Sequence, residues 1–232
     1  TLAISSAASD VYKRQNLAQS GLSRVTISLD AIDQEVHSKI TDSKVSVTDI
    51  LDGISAAIRY ELGPVKINCV VQRGVNEHQI PKLVRKFRGT GVIVRFIEFM
   101  DVGSTNGWTQ GQVVPTSEII DFLSSEFDLI PLARKSASDV ASRWAHSDDS
   151  GEIGFISSVS QPFCGDCVRA RLSSDGKFFT CLFTTTGHDM SALIKSGGKT
   201  EVLTQSIEEV WSARKDRYSE ERSSGSISLP RV

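Results

Sequence analysis

The sequence predicts an α/β fold, built as a parallel sheet or barrel and followed by a C-terminal extension of short antiparallel strands. Strand-like and helix-like segments alternate through the first half of the chain, which is typical of parallel sheets. After residue 128 the pattern changes to short strands and serine-rich turns, which indicates the extension. A chain of 232 residues has room for one large domain with a smaller appendage.

The predicted elements of the first half follow in a simple order. Their spacing gives strand 24–30, helix 48–62, strand 65–71, helix 76–88 and strand 92–100. Gly63-Pro64 ends the first of these helices. A further helix is predicted to begin at an N-cap, Thr116, and to run to Phe127.

Two of the predicted strands have a polar face, because side chains alternate across a strand. Thr26 and Ser28 share one face of the first strand, and Lys66 and Asn68 share one face of the second. Parallel strands in doubly wound sheets are usually apolar on both faces, so a polar face favours a barrel whose lumen holds substrate. The alternative is an edge strand with one solvated face.

Composition excludes several classes of protein. The chain has 26 Lys and Arg against 28 Asp and Glu, a net charge of -2, so no overall field attracts nucleic acid or a membrane surface. A basic site must therefore be local. No apolar run approaches the roughly 18 residues of a membrane span, and the N-terminus lacks the pattern of a signal peptide. We expect a soluble protein without a membrane span and without a nucleic-acid partner.

Three of the four cysteines lie close together in the sequence. Cys164 and Cys167 form a CxxC turn, and a hairpin with Asp175-Gly176 at its tip would return Cys181 to that turn. Zinc would need a fourth ligand, for which His188 and Cys69 are candidates. An iron–sulfur cubane can hold three cysteines and leave one iron open. Inert thiols are the third option, and spacing does not decide among the three.

Arginines stand beside this cysteine cluster. Arg169 and Arg171 alternate in an extended segment, so both guanidinium groups would share a face and could grip phosphate or carboxylate oxygens. A solvent-facing pair is the alternative. His37, His78 and His146 have no acidic or cysteine neighbours at ligand spacing, so we expect surface histidines.

Several segments resemble one enzyme family. They are SLD after the first strand, GPVKINCVVQRGVN, VRFIEFMDVG followed by NGW, and FCGDCVRARLSSDGKFFTCLF. Over about residues 16–220 the chain resembles the GTP 3',8-cyclases, radical S-adenosylmethionine enzymes of molybdenum cofactor biosynthesis. The resemblance implies an incomplete, TIM-like (β/α)6 barrel over 16–127 and an extension with an iron–sulfur site over 128–232. Residues 1–15 do not match the family and are expected to be a non-native or mis-joined start.

The resemblance also implies the site residues. A [4Fe-4S] cluster with an open iron that binds the guanine of GTP would be held by Cys164, Cys167 and Cys181. The rest of GTP would be bound by Lys66, Arg95, Arg169, Ala170 and Arg171. S-adenosylmethionine would contact Ser28 and Met100. The catalytic residues themselves are not assigned.

The family's CxxxCxxC motif for a first [4Fe-4S] cluster, which binds S-adenosylmethionine, is not in this sequence. We therefore expect the C-terminal two-thirds of such an enzyme, truncated at both ends, which holds the GTP half of the site and is inactive alone. The implied partners are an electron donor and a downstream cyclic pyranopterin monophosphate synthase, with homodimer formation left open. The implied location is the bacterial cytoplasm, or the mitochondrial matrix in a eukaryote. The alternatives are a zinc-binding structural module and another radical S-adenosylmethionine enzyme with an auxiliary cluster.

Overall fold

The computed structural model describes residues 2–3, 17, 19–102, 107–136, 139–197 and 199–223. The chain forms two compact units. The first contains Thr1–Met100 and Trp108–Gln161, and the second contains Asp101–Gly107 and Pro162–Val232. Of the predicted non-native start, only the backbone of Leu2–Ala3 is described, and it pairs in parallel with the strand that begins at Val25.

A seven-stranded sheet forms the centre of the first unit. Its strands are β1 (Leu2–Ala3), β2 (Val25–Ser28), β3 (Lys66–Val71), β4 (Ile93–Glu98), β5 (Leu129–Leu132), β6 (Ser142–His146) and β7 (Glu152–Ile156). They lie in the order β1-β2-β3-β4-β7-β6-β5. Strands β1 to β4 and β7 are parallel, whereas β6 and β5 are antiparallel. The predicted mixed α/β fold with a parallel-strand sheet is confirmed.

Helices connect the parallel strands. They are α1 (Gln34–Thr41), α2 (Val47–Arg59), α3 (Ile80–Phe87) and α4 (Thr116–Ser124), with short 3-10 turns at Glu77–Gln79 and Gln110–Gln112. The hydroxyl of Ser46 caps α2 by accepting a hydrogen bond from the backbone N–H of Thr48. The prediction that Thr116 is an N-cap is wrong, because Pro115 holds the extended cap position and Thr116 is the first helical residue.

Strand β3 shows how the sequence pattern becomes a core. Ile67, Cys69 and Val71 are buried, whereas Lys66 and Asn68 are only half-buried on the opposite face. The buried side chains belong to one apolar cluster with residues of α2 and α3, such as Ile54 and Leu83. The alternation in β3 therefore leaves a polar face free of core packing, as the sequence predicts.

Strands β5, β6 and β7, although they follow residue 128, belong to the first unit rather than to a separate extension. Strand β7 pairs with β4 from Val94↔Ile153 to Ile97↔Ile156 and so continues the parallel sheet. The division between the units falls after Gln161, not at residue 128 as expected. Short strands with serine-rich turns do not reveal which sheet they will join, because pairing depends on contacts distant in sequence.

The second unit contains a small antiparallel sheet and three helices. The strands are β8 (Arg171–Leu172), β9 (Lys177–Phe179) and β10 (His188–Asp189), and the helices are α5 (Ser191–Lys195), α6 (Thr200–Ala213) and α7 (Tyr218–Ser223). The predicted hairpin between β8 and β9 is confirmed. At its turn Gly176 has a φ of +86°, and an added Cβ would lie 3.0 Å from Ser191.

None of the helices in the described ranges has the length and apolar character required to cross a membrane.

Candidate functional site

A cationic cavity opens on the polar face of the parallel sheet in the first unit. Its volume is about 160 Å³, and it is lined by Arg24, Val25, Thr26, Pro64, Lys66 and Arg95. Strand register explains the convergence, because Thr26 lies opposite Lys66 in β3 and Asn68 lies opposite Arg95 in β4. Two predicted GTP-binding residues, Lys66 and Arg95, are thus brought together in one cavity.

Two neighbouring strands hold the side chain of Arg95. Its Nε donates a hydrogen bond of 2.9 Å to Oδ1 of Asn68 in β3. On the other side, Gly154 of β7 lies directly opposite Arg95, and a Cβ there would be 3.0 Å from the Cγ of Arg95. The glycine therefore leaves room for the arginine stem. Among the described residues, the terminal guanidinium nitrogens of Arg95 make no hydrogen bond.

The positive charges of the cavity have no ion-pair partner in the described part of the chain. Within the described ranges, no carboxylate forms an ion pair with Arg24, Lys66 or Arg95. Burial lowers the pKa of Lys66, and the charges of Arg95 and Arg24 lower it further, against a smaller opposing effect of more distant acidic groups. Burial also lowers the pKa of Arg95. A bound anion would relieve this repulsion, so the cavity is suited to an anionic ligand.

Sequence reasoning missed Arg24 as a member of this cavity. Arg24 precedes β2, two residues before Thr26, and therefore has the same parity as the polar residues of that strand. This parity was a usable signal. It was not sufficient, because the residue lies outside the strand and its side chain is exposed.

The two residues expected to contact S-adenosylmethionine lie at one edge of the sheet. Ser28 ends β2 and is exposed, and Met100 follows the end of β4 and is half-buried. Because β2 and β4 are both parallel to the intervening β3, Ser28 and Met100 lie at the same edge of the sheet, at the carboxyl end of β2 and just beyond that of β4. Substrate sites of parallel α/β barrels occupy this edge.

A buried carboxylate organises the same edge. Glu98, at the end of β4, is fully buried. Its Oε1 accepts hydrogen bonds from the backbone N–H of Thr116, at 2.8 Å, and from the hydroxyl of Ser160. Its Oε2 accepts hydrogen bonds of 2.7 Å from the backbone N–H groups of Val159 and Ser160. Glu98 thereby joins β4 to the first turn of α4 and to the segment after β7. Sequence analysis did not single it out.

In the second unit the three clustered cysteines are free thiols and are half-buried. The backbone N–H of Cys167 donates to the carbonyl of Cys164 at 3.2 Å, which closes the CxxC turn. Burial raises the pKa of Cys167, but hydrogen bonds and charge from Arg169 outweigh it, so the net pKa is lowered. Burial raises the pKa of Cys181, and the nearby charges of Asp216 and Cys164 act in the same direction.

The thiols offer suitable donor chemistry but not a closed metal site. Within the part of the chain that the structure describes, no three His, Cys, Asp or Glu side chains are gathered closely enough to hold a metal ion. Cys69 is fully buried in the first unit, with its thiol facing the carbonyl of Asp30 at 3.6 Å. His188 is exposed on β10. Three thiolates match the ligand type that iron–sulfur clusters require.

The arginines beside the cysteines face solvent. Arg169 places Nη2 3.6 Å from the sulfur of Cys167 and lies over the ring of Phe163, 5.1 Å from its centroid. Ala170 is exposed, and Arg171 begins β8 opposite Phe179. Their assignment to GTP stays a prediction.

The histidine predictions have mixed outcomes. His78 is exposed as expected. His37 and His146 are buried, contrary to the surface position predicted for them. Burial lowers the pKa of both side chains.

Comparison with known proteins gives two matches that together cover most of the chain. The model of the Molybdenum Cofactor Synthesis C family matches residues 92–220, and that of the Radical SAM superfamily matches residues 13–87. A solved radical SAM methyltransferase from Sphaerobacter thermophilus is 21% identical over 53% of this chain and 36% of its own chain, with a TM-score of 0.39.

Curated relatives named GTP 3',8-cyclase match along most of this chain. The protein from Xanthomonas axonopodis pv. citri is 46% identical over 90% of this chain and 62% of its own length. The protein from Acidothermus cellulolyticus is 42% identical over 89% and 58%, respectively. That from Staphylococcus haemolyticus is 42% identical over 92% and 63%. The chain thus spans about 60% of the length of these relatives. With a family match over more than half of its residues, the chain belongs to the molybdenum cofactor synthesis C family.

Proposed function

We propose that this chain is the GTP-binding part of a GTP 3',8-cyclase, an enzyme of molybdenum cofactor biosynthesis. The reaction converts GTP to (8S)-3',8-cyclo-7,8-dihydroguanosine 5'-triphosphate. The observation that carries the proposal is the cavity lined by Arg24, Lys66 and Arg95, which concentrates positive charge without a counterion among the described residues. The names of its relatives and the radical SAM match support the same reaction.

The cavity suits the triphosphate group of GTP. Arginine binds phosphate oxygens through a planar fork, and lysine adds a compact charge. Arg95 is held by Asn68, and its terminal nitrogens have no hydrogen-bond partner among the residues that the structure describes, so this donor is oriented before the ligand arrives. A positioned donor set lowers the entropy lost on binding and keeps the ribose at a defined distance from the radical source.

The second unit carries the three clustered cysteines and the two arginines beside them. Cys164, Cys167 and Cys181 would hold a [4Fe-4S] cluster whose open iron takes the base, and Arg169, Ala170 and Arg171 would bind substrate beside it. The donor chemistry of three free thiols supports this assignment. Arg169 already lies against Cys167 and stabilises its thiolate.

Ser28 and Met100 would contact S-adenosylmethionine at the carboxyl edge of an incomplete (β/α)6 barrel. S-adenosylmethionine and its own [4Fe-4S] cluster would supply the radical chemistry. The cysteine ligands of that cluster would come from the part of the relatives' length that this chain does not span. An external electron donor and the pyranopterin monophosphate synthase that consumes the product would be its partners. We place the protein in the cytoplasm, on the bacterial origin of its relatives.

Metal loading and GTP binding test the proposal together. The chain is reconstituted anaerobically with iron and sulfide, assayed for iron, sulfide and zinc, and titrated with GTP. We expect about four irons per chain, as in a [4Fe-4S] cluster, and a GTP-dependent change in the cluster spectrum. One tightly bound zinc with no response to GTP would contradict the proposal and would favour a structural zinc module.

Two cysteine variants separate ligand loss from general damage. Cys181→Ser should lose the reconstituted cluster, because a hydroxyl is a poor ligand for iron in a thiolate set. Cys69→Ala is the matched control, since Cys69 lies in the apolar core of the first unit. We expect this control to keep its iron. Equal iron in Cys181→Ser and the unmodified chain would remove Cys181 from the ligand set.

A further inference from the structure

Arg24 is a charged residue of the cavity for which neither sequence pattern nor resemblance predicted a role. It lies immediately before β2, its side chain is exposed, and it lines the same cavity as Lys66 and Arg95. It has no ion-pair partner among the described residues. Its charge is close enough to depress the pKa of Lys66.

The three cations, which we call the cation row, lie at successive levels along the strands. Arg95 is level with Asn68, because the two are register partners. Lys66 is two residues nearer the amino-terminal edge on the same strand, which corresponds to about 6.6 Å. Thr26 is level with Lys66, and Arg24 comes two residues before Thr26, just outside β2 and farther toward that edge.

This order gives a polyphosphate a direction in the cavity. Ser28 and Met100 lie at the carboxyl edge of the sheet, so a nucleotide whose sugar faces that edge extends its phosphates toward the amino-terminal edge. If Ser28 and Met100 contact S-adenosylmethionine as proposed, the first phosphates would meet Arg95 and Lys66. The phosphate farthest from the sugar would then meet Arg24.

We propose that Arg24 is a specificity-determining residue that binds the terminal phosphate of a nucleoside triphosphate and makes this cavity prefer triphosphates over diphosphates. The inference rests on the proposed function, because it extends the same anion site. A diphosphate would reach Arg95 and Lys66 but would leave Arg24 without an anionic partner. The flexible side chains of Lys66 and Arg24 would close the remaining distance to a bound chain of phosphates.

The test measures how strongly the purified chain binds GTP and GDP, by calorimetry at one fixed salt concentration. Arg24→Met removes the charge and keeps the length of the side chain. We expect it to weaken GTP binding by about tenfold, as expected for one charge-assisted hydrogen bond of about 1.4 kcal/mol, and to change GDP binding by less than about twofold. Arg24→Lys should restore most of the preference.

Two further variants serve as controls. Arg59→Met changes the net charge by the same amount at the end of α2, where Arg59 is exposed, and should leave both affinities unchanged. Lys66→Met should weaken the binding of both ligands. Equal losses of GTP and GDP affinity in Arg24→Met, or no loss for either, would overturn the inference while the proposed function stands. An unmodified chain that binds neither nucleotide would overturn both.

Discussion

Replacing Glu98 by glutamine should destabilise the first unit far more than its isosteric shape suggests. The carboxylate is fully buried and accepts four hydrogen bonds, two at each oxygen. Glutamine keeps only one acceptor oxygen. If that oxygen stays with the backbone N–H groups of Val159 and Ser160, the new NH₂ group faces the N–H of Thr116. The NH₂ group of the glutamine and the backbone N–H of Thr116 would then be two buried donors that face each other without an acceptor.

The cost follows from these contacts. A buried N–H left without a partner costs about 1–3 kcal/mol, and each bond that loses its charge assistance weakens by about 1 kcal/mol. With one such donor, at Thr116, and two such bonds, the free energy of unfolding should fall by about 3–5 kcal/mol. At a urea dependence of about 2–3 kcal/mol per molar, the denaturation midpoint should fall by about 1–2 M.

Urea denaturation of the purified chain measures this change, with fluorescence of the tryptophans as the signal. Glu118→Gln is a matched control, because Glu118 is an exposed residue of α4 that pairs with Arg73. A surface pair contributes about 1 kcal/mol or less. A Glu98→Gln variant no less stable than Glu118→Gln would refute the reasoning that Glu98 joins β4, α4 and the segment after β7.

Three other predictions concern the sheet and its cavity. Asn68→Ala should weaken tripolyphosphate binding by about two- to tenfold, because Arg95 loses the hydrogen bond that orients it. Asn68→Asp should weaken this binding further, because its carboxylate would pair with the guanidinium of Arg95. Equal affinities of the unmodified chain and both variants in calorimetry would show that Asn68 does not position Arg95. Tripolyphosphate should raise the lowered pKa of Lys66, so at alkaline pH its binding should take up more protons in the unmodified chain than in Lys66→Met, measured by the dependence of the binding enthalpy on the buffer. Equal uptake in the two chains would contradict the repulsion described. Burial raises the pKa of Asp30 from 3.8 to about 6, despite a hydrogen bond from the backbone N–H of Val70. The folded state therefore binds the proton of Asp30 more tightly than the unfolded state does. The free energy of unfolding should fall by about 3 kcal/mol as pH rises between these two pKa values. In Asp30→Asn, urea denaturation should no longer show this fall in stability between pH 4 and pH 7. A variant whose stability depends on pH as in the unmodified chain would be evidence against the role of Asp30.

The local pattern of the sequence predicted more of the fold than of the site. Helix α2 and strands β2, β3 and β4 lie where periodicity placed them, with ends that differ by at most three residues. The β8–β9 hairpin follows from Asp175-Gly176, because a left-handed turn position favours glycine. These helices, strands and turns depend on the backbone preferences and the polar–apolar pattern of a few neighbouring residues. Both can be read from the sequence.

The errors and omissions have a common cause. Strand β7 joins the main sheet rather than an extension, and His37 and His146 are buried rather than exposed. Each outcome depends on segments that are distant in the sequence. The sequence of a short strand does not specify which strand it pairs with. A histidine without acidic neighbours in the sequence can still be buried by segments that pack over it.

By itself, the sequence determined the α/β class, the polar face of β3 and the hairpin between β8 and β9. Two-residue alternation and short spacings are properties of the local backbone, so they can be read without coordinates. Only the tertiary structure decided that Arg24 lies in a cavity with Lys66 and Arg95, and that Asn68 orients Arg95. These relations depend on the register between parallel strands, which is set by the packing of whole faces against the core and by connections many residues long.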